Sequence, residues 1–113
     1  MEQERLDGAL RDIGEVPAVE VITTVAVHLM SAAAVKCGLG EEGSASLDLD
    51  EARKLINALG GLIDASAPDL GTFHAAPLRD GLRSLQLAFR EASPYPDPAG
   101  QGPAEKYTGP LPR

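Results

Sequence analysis

The chain has no tryptophan, and aromatic residues make up only 4% of its 113 positions. Large rings bury much area per residue, so without them the core must come from Leu, Ile, Val and Ala. Cys37 is the single cysteine. An intramolecular disulfide is therefore excluded, and with it the stapled frameworks of small secreted domains. No C-x-x-C or H-x-x-x-H pair occurs; Cys37, His28 and His74 are the soft ligands available. Structural zinc needs four ligands at short paired spacings, so neither a metal nor any other cofactor is expected. Positive charge is also scarce: 10 Lys and Arg stand against 17 Asp and Glu, a net charge of −7. Such a chain is repelled by phosphate backbones at long range, and direct nucleic-acid binding is not expected.

No long uninterrupted apolar run is present. The best stretch, Pro17 to Cys37, is broken by Glu20, Thr23, Thr24, His28, Ser31 and Lys36. A membrane span wants roughly 18 or more continuous apolar residues, so none is expected. The first residues, MEQERLDGALRD, are acidic, the opposite of a secretory or mitochondrial leader. The expectation is a soluble, cytoplasmic protein.

Apolar residues recur at helical spacing in three places. Val21, Ile22, Val25, Ala26, Leu29, Met30, Ala33 and Cys37 predict a helix from about Pro17 to Cys37, with Gly38 as its stop. Pro17 suits the first turn, where its missing N–H costs nothing. The loop GLGEEGSASL follows. Its glycines superficially resemble a phosphate-binding loop, but Glu41 and Glu42 stand where phosphate would lie and the Lys-Ser/Thr pair is missing. Asp48, three residues before Glu51, caps a second helix with the stripe Ala52, Leu55, Ile56, Leu59, Leu62 and Ile63. Gly60 and Gly61 inside it predict either close approach of a neighbouring helix or a kink, and Pro68 is expected to end the segment. After a connector over 69–76, with Thr72 as a cap, Leu78, Leu82, Leu85 and Phe89 form the third stripe. The fold class is all-α: a small three-helix bundle or a hairpin plus one helix, spanning residues 17–93.

The ends are expected to be irregular. Residues 1–16 read as a mobile acidic arm, with at most a short helix from Glu2 to Ile13. Residues 94–113 hold six prolines, at 94, 96, 98, 103, 110 and 112, and read as a disordered tail.

Catalytic chemistry finds no setting. None of Ser31, Ser44, Ser46, Ser66 or Ser84 lies in a G-x-S-x-G elbow, and a bundle this small leaves little room for a pocket. Cys37 near a helix C-terminus meets the negative end of the dipole, which disfavours a thiolate. The protein is not expected to be an enzyme. The partner-binding candidates are Arg79, Arg83 and Arg90, which share one helical stripe, and Tyr95 and Tyr107, the aromatic residues of the tail. Three guanidinium groups on one face suit an acidic partner; the alternative is a solvated face paired with Asp80, Glu91 or acids on another helix. Self-association has a separate basis. A helix apolar over much of its circumference needs more than one neighbour, and a core of this size without Trp is marginal. A symmetric homodimer is expected.

The second and third helices resemble the bacterial domain of unknown function family 1844. The residues that carry the resemblance are Asp48-Leu49-x-x-Ala52, then Ile56, Leu59 and Leu62, and the run Pro77 to Arg90 (PLRDGLRSLQLAFR). The stretch from His28-Leu29 to Gly38-Leu39 is similar to the family's first helix. Residues 66–74 depart from the family's polar turn, and with the tail GPAEKYTG at 102–109 they look like the actinobacterial type. The resemblance implies a cytoplasmic helical protein and brings no catalytic residues. The function expected is a helical interaction or regulatory module that self-associates, its tail serving as linker or docking peptide. The alternative is a translation-associated factor contacting the ribosome, or a ribosomal protein, through Arg79, Arg83 and Arg90.

Overall fold

The computed structural model describes Glu2 and residues 14–112. The acidic arm expected over 1–16 lies almost entirely outside the described residues.

Helix α1 spans Ala18–Lys36. The Pro17 carbonyl accepts the first free N–H groups, from Glu20 at 3.0 Å and Val21 at 3.2 Å. The stop is the one expected: Gly38 takes φ +84, and the Leu39 N–H turns back to the Ala34 carbonyl at 2.9 Å. A loop with one 3₁₀ turn, Gly43–Ser46, leads to Asp48, whose N–H closes it on the Lys36 carbonyl at 2.8 Å. Asp48 Oδ1 accepts the Glu51 N–H at 3.1 Å, so the cap forms.

Helix α2, Leu49–Ala92, corrects the expected connector over 69–76. Pro68 does not end the second helix. It lacks one helical N–H, but the turn runs on to Leu70, and the chain reverses at Gly71 (φ +78, ψ 165). That left-handed φ is costly for any residue with a Cβ. Residues 72–92 resume as helix at once, so α2 is a hairpin of two limbs joined by a single residue. The limbs run antiparallel: the Arg53 guanidinium lies 4.9 Å over the Phe89 ring, and Asp64 and Arg79 border one groove nearer the bend.

Three helical rods thus close around one core, and no strand occurs among the described residues. The limbs contribute Ala52, Ile56, Leu59, Ile63, Leu78, Leu82, Leu85 and Phe89, all buried at the helical spacing read from the sequence, and Leu70 from the stretch read as connector. From α1 only Ala26 and Ala33 are buried. Their small side chains let the helix lie close to the hairpin, and Met30 sits against the bare Cα of Gly81.

The disordered tail expected over 94–113 is a second correction. Residues 94–112 fold back over the hairpin, and Pro103, Ala104 and Glu105 are buried. A single helical turn, α3 (Glu105–Thr108), packs there. Prolines exclude this segment from helix interiors and sheet centres, but not from an irregular path whose backbone groups find partners on α2. Asn57 Oδ1 accepts the Ala104 N–H at 2.7 Å. Gln86 Nε2 donates to the Pro103 carbonyl at 3.0 Å and to Thr108 Oγ1 at 3.1 Å. Arg53 pairs with Asp97 through contacts of 3.1 and 2.9 Å, and Glu105 accepts the Gly100 N–H at 2.7 Å. A close approach does occur at Gly60 and Gly61, but it is made by the tail and not by either of the other long helices as expected. A Cβ on Gly60 would stand 2.6 Å from that of Ala104 and 3.0 Å from the Tyr107 ring.

Candidate functional site

Two surfaces remain once core and tail are accounted for. The first is the outer face of α1. At 100° per residue, Val21, Val25, His28, Ala32 and Val35 fall within an arc of about 80°. Their steps of four, three, four and three residues form a heptad seam. Val21, Val25 and Val35 are 38%, 46% and 40% exposed. The inward stripe, Ile22, Ala26, Leu29 and Ala33, lies about 110° away. Thr24 and Ser31 flank the outer seam on one side, so no charged residue stands on it or on that flank; Glu20 and Lys36 lie towards the helix ends. Leu39, just past the helix end, is 62% exposed. Helix α1 is also long and apolar enough, at a mean hydropathy of 1.7, to cross a membrane by length and composition alone. Isolated exposed apolar residues are ordinary on a protein surface; a continuous uncharged seam is not. The sequence shows α1 to be apolar almost all round. Only the placement of Ala26 and Ala33 against the hairpin separates a covered stripe from an open one.

The second surface is a groove of about 540 Å³ between the second limb of α2 and the tail. Of the five partner-binding residues read from the sequence, it gathers three. Arg79, Arg83 and Tyr107 line it together with Ile63, Asp64, Asp80 and Leu82. Neither Arg79 nor Arg83 has a carboxylate within 4.0 Å among the described residues, so the pairing of this stripe with Asp80 or other acids does not occur there. Arg90 is drawn away from the other two: its Nη1 donates to the Pro112 carbonyl at 2.8 Å, holding the tail. Tyr95 is 93% exposed and borders neither surface. Tyr107 is an anchor, but its ring lies against the hairpin's own Gly60 and Gly61.

Of the nucleophile candidates, Ser31, Ser44 and Ser84 are exposed, Ser46 donates to Glu42, and Ser66 and Cys37 are buried. Ser66 is buried, and its hydroxyl donates to the Leu62 carbonyl of its own helix. Cys37 is buried, and loss of water around the sulfur pushes its pKa up, which disfavours the thiolate. Among the described residues, no three His, Cys, Asp or Glu side chains converge on one point.

Sequence reasoning missed Asn57, Gln86 and Arg53 as the receptors of the tail, and Asp97 as the tail's partner to Arg53. Gln86 carried no signal of this: on a helical wheel it falls in the stripe of Arg79, Arg83 and Arg90, and it is buried only because its partners, 17 and 22 residues away, fold over it.

No curated protein and no solved structure matches the chain. A family model described as a domain of unknown function, DUF1844, matches residues 18–91, from the start of α1 almost to the end of the hairpin. The three-rod bundle is therefore the family's common part, the tail lies beyond the match, and the chain belongs to this family.

Proposed function

We propose that the protein is a non-catalytic helical interaction module that works as a homodimer, with the outer seam of α1 as its pairing surface. The observation that carries this reading is the seam itself: three valines, a histidine and an alanine at heptad spacing, left open by a bundle whose other apolar stripes are covered. Burying such a face gains free energy in proportion to the apolar area removed from water. The net charge of −7 per copy opposes association, and salt screens it while strengthening apolar contact. Association is therefore expected to tighten as salt rises. Light scattering on the full chain across a salt series tests this. A dimer mass that grows with salt, and a monomer for V25E/V35E with unchanged helical circular dichroism, are the expected results. A compact monomer at every salt and protein concentration overturns the proposal.

One observation favours a second reading, in which an acidic partner such as a ribosomal protein docks at Arg79 and Arg83. Both guanidinium groups lack a carboxylate partner among the described residues and border the same groove. Contacts of this kind weaken with salt, the opposite trend. Co-sedimentation with ribosomes that falls as salt rises, and vanishes in R79Q/R83Q, supports this second reading. Binding that ignores both changes removes it.

A further inference from the structure

The seam on α1 has a direction as well as a composition. Taking the pairing proposed above as given, we infer that two copies meet with their α1 helices antiparallel, Val25 of each against Val35 of the second copy and His28 against Ala32.

Three observations lead to this arrangement, each by a different physical route. The first is shape. The seam reads Val21, Val25, His28, Ala32, Val35, with its large polar ring and its smallest side chain in adjacent layers. Parallel pairing sets each residue against itself, so His28 meets His28 and Ala32 meets Ala32. One layer is then crowded with two imidazoles and the next holds a gap. Antiparallel pairing about the level of residue 30 sets His28 against Ala32 twice, and valine against valine outside them. Alternation of large and small across an interface is what fills the space between helices. In heptad terms every layer then joins an a position to a d position, the layer type of antiparallel pairs. The flanking residues Thr24 and Ser31 are small, and neither has a bulky side chain to keep the helices apart.

The second route is the helix dipole. Each end of α1 behaves as about half a charge, and antiparallel packing sets unlike ends side by side.

The third is the charge at the two ends of α1. Residues 1–16, which lead into the helix, carry Glu2, Glu4, Asp7, Asp12 and Glu15 against Arg5 and Arg11, a net −3. Residues 36–42, which leave it, carry Lys36, Glu41 and Glu42, a net −1. Parallel pairing brings the two −3 segments to the same end. Antiparallel pairing separates the two points where these segments join α1 by the helix length, about 28 Å at 1.5 Å per residue, well beyond the ~8 Å screening length of physiological salt.

Engineered disulfides read the arrangement directly. V25C and V35C are made as separate full-length chains in a C37A background, one carrying a mass tag. Both positions are exposed, so neither substitution disturbs the core, and helical circular dichroism verifies this. The chains are mixed and oxidised, and the bonded species are separated by mass. A disulfide closes only where the Cβ atoms come within about 3.5–4.5 Å. The expected product is the mixed 25–35 species, at least about tenfold over either self-linked species, the population ratio of a 1.4 kcal/mol preference. Predominant 25–25 and 35–35 bonds overturn the antiparallel arrangement and leave the dimer standing. No bond at all, together with a monomer mass, overturns both. Binding of the monomer to neutral lipid vesicles in that last case assigns the seam to a membrane surface.

Discussion

Replacing Gly60 by alanine sets two effects of opposite sign against each other. Within a helix, alanine is better than glycine by about 1 kcal/mol, because it restricts the unfolded chain and shields the backbone. At this position, however, the new methyl would stand 2.6 Å from the Ala104 Cβ and 3.0 Å from the Tyr107 ring. Ala104 cannot yield easily. It already holds a left-handed φ of 61°, is 1% exposed, and its N–H is tied to Asn57. Overpacking of this kind costs roughly 1–3 kcal/mol. The helix keeps its gain and the tail takes the loss, so the tail detaches while the bundle persists. A weakening of tail docking by about 2 kcal/mol raises the detached population roughly 30-fold. The Lys106–Tyr107 bond lies within α3 and reports this state to trypsin, whose cleavage rate follows the open population when reclosing is fast. G60A is therefore expected to be cut at Lys106 about 30-fold faster than the native chain, with little change in the thermal midpoint of the helical signal. G61A is the internal control. Its methyl would come tight only against the Tyr107 hydroxyl, at 3.1 Å, with the ring carbons at ordinary contact distance, and that end of the side chain can swing aside. Unchanged or slower cleavage at Lys106 in G60A refutes the claim that the glycine exists to seat the tail.

The same assay reads Q86L. Leucine fills the buried site but leaves the Pro103 carbonyl and the Thr108 hydroxyl without their donor, at a cost of about 1–3 kcal/mol, and cleavage at Lys106 rises accordingly. D97N breaks the Arg53 pair, whose side chains are 38% and 29% exposed, so solvent screening limits the loss to about 1 kcal/mol or less and a thermal shift of a few degrees. A larger drop shows that Asp97 does more than pair with Arg53. Cys37 is expected to react with a maleimide far more slowly in the folded chain than in urea at pH 8. Because burial raises its folded pKa, its contribution to stability is full below the unfolded thiol's pKa and is lost as pH climbs through the folded one; urea midpoints compared at pH 7 and pH 10 measure that loss.

Much of the helical framework was legible from residue order because it depends on local rules. Asp48 before Glu51 caps a helix wherever it occurs, Gly38 ends one by taking a positive φ, and apolar residues three and four apart share a face. Those rules also located the inward residues of both α2 limbs. They failed at the bend, where Pro68 looked like the terminator. A proline removes one hydrogen bond, whereas reversing the chain needs a residue free to adopt φ +78, and that residue is Gly71.

The candidate site divides along the same line. The composition of α1 shows that it is too apolar for one neighbour. Its open side is determined by the neighbour it has, since Ala26 and Ala33 face a hairpin, Leu49–Ala92, that lies well beyond them in the chain. The arginine stripe is visible on a helical wheel, yet its breakup, with Arg90 held by Pro112 and Arg79 and Arg83 left bordering a groove, depends on where the tail lies. Residue order by itself determined the three helical stripes, the Asp48 cap and the Gly38 stop, because each arises from groups within a turn or two of one another. Tertiary structure alone decided the order of the tail and the direction in which α1 turns its valines. Buried amides, glycine gaps and carbonyl acceptors have no effect on a distant segment until folding brings it within hydrogen-bond reach.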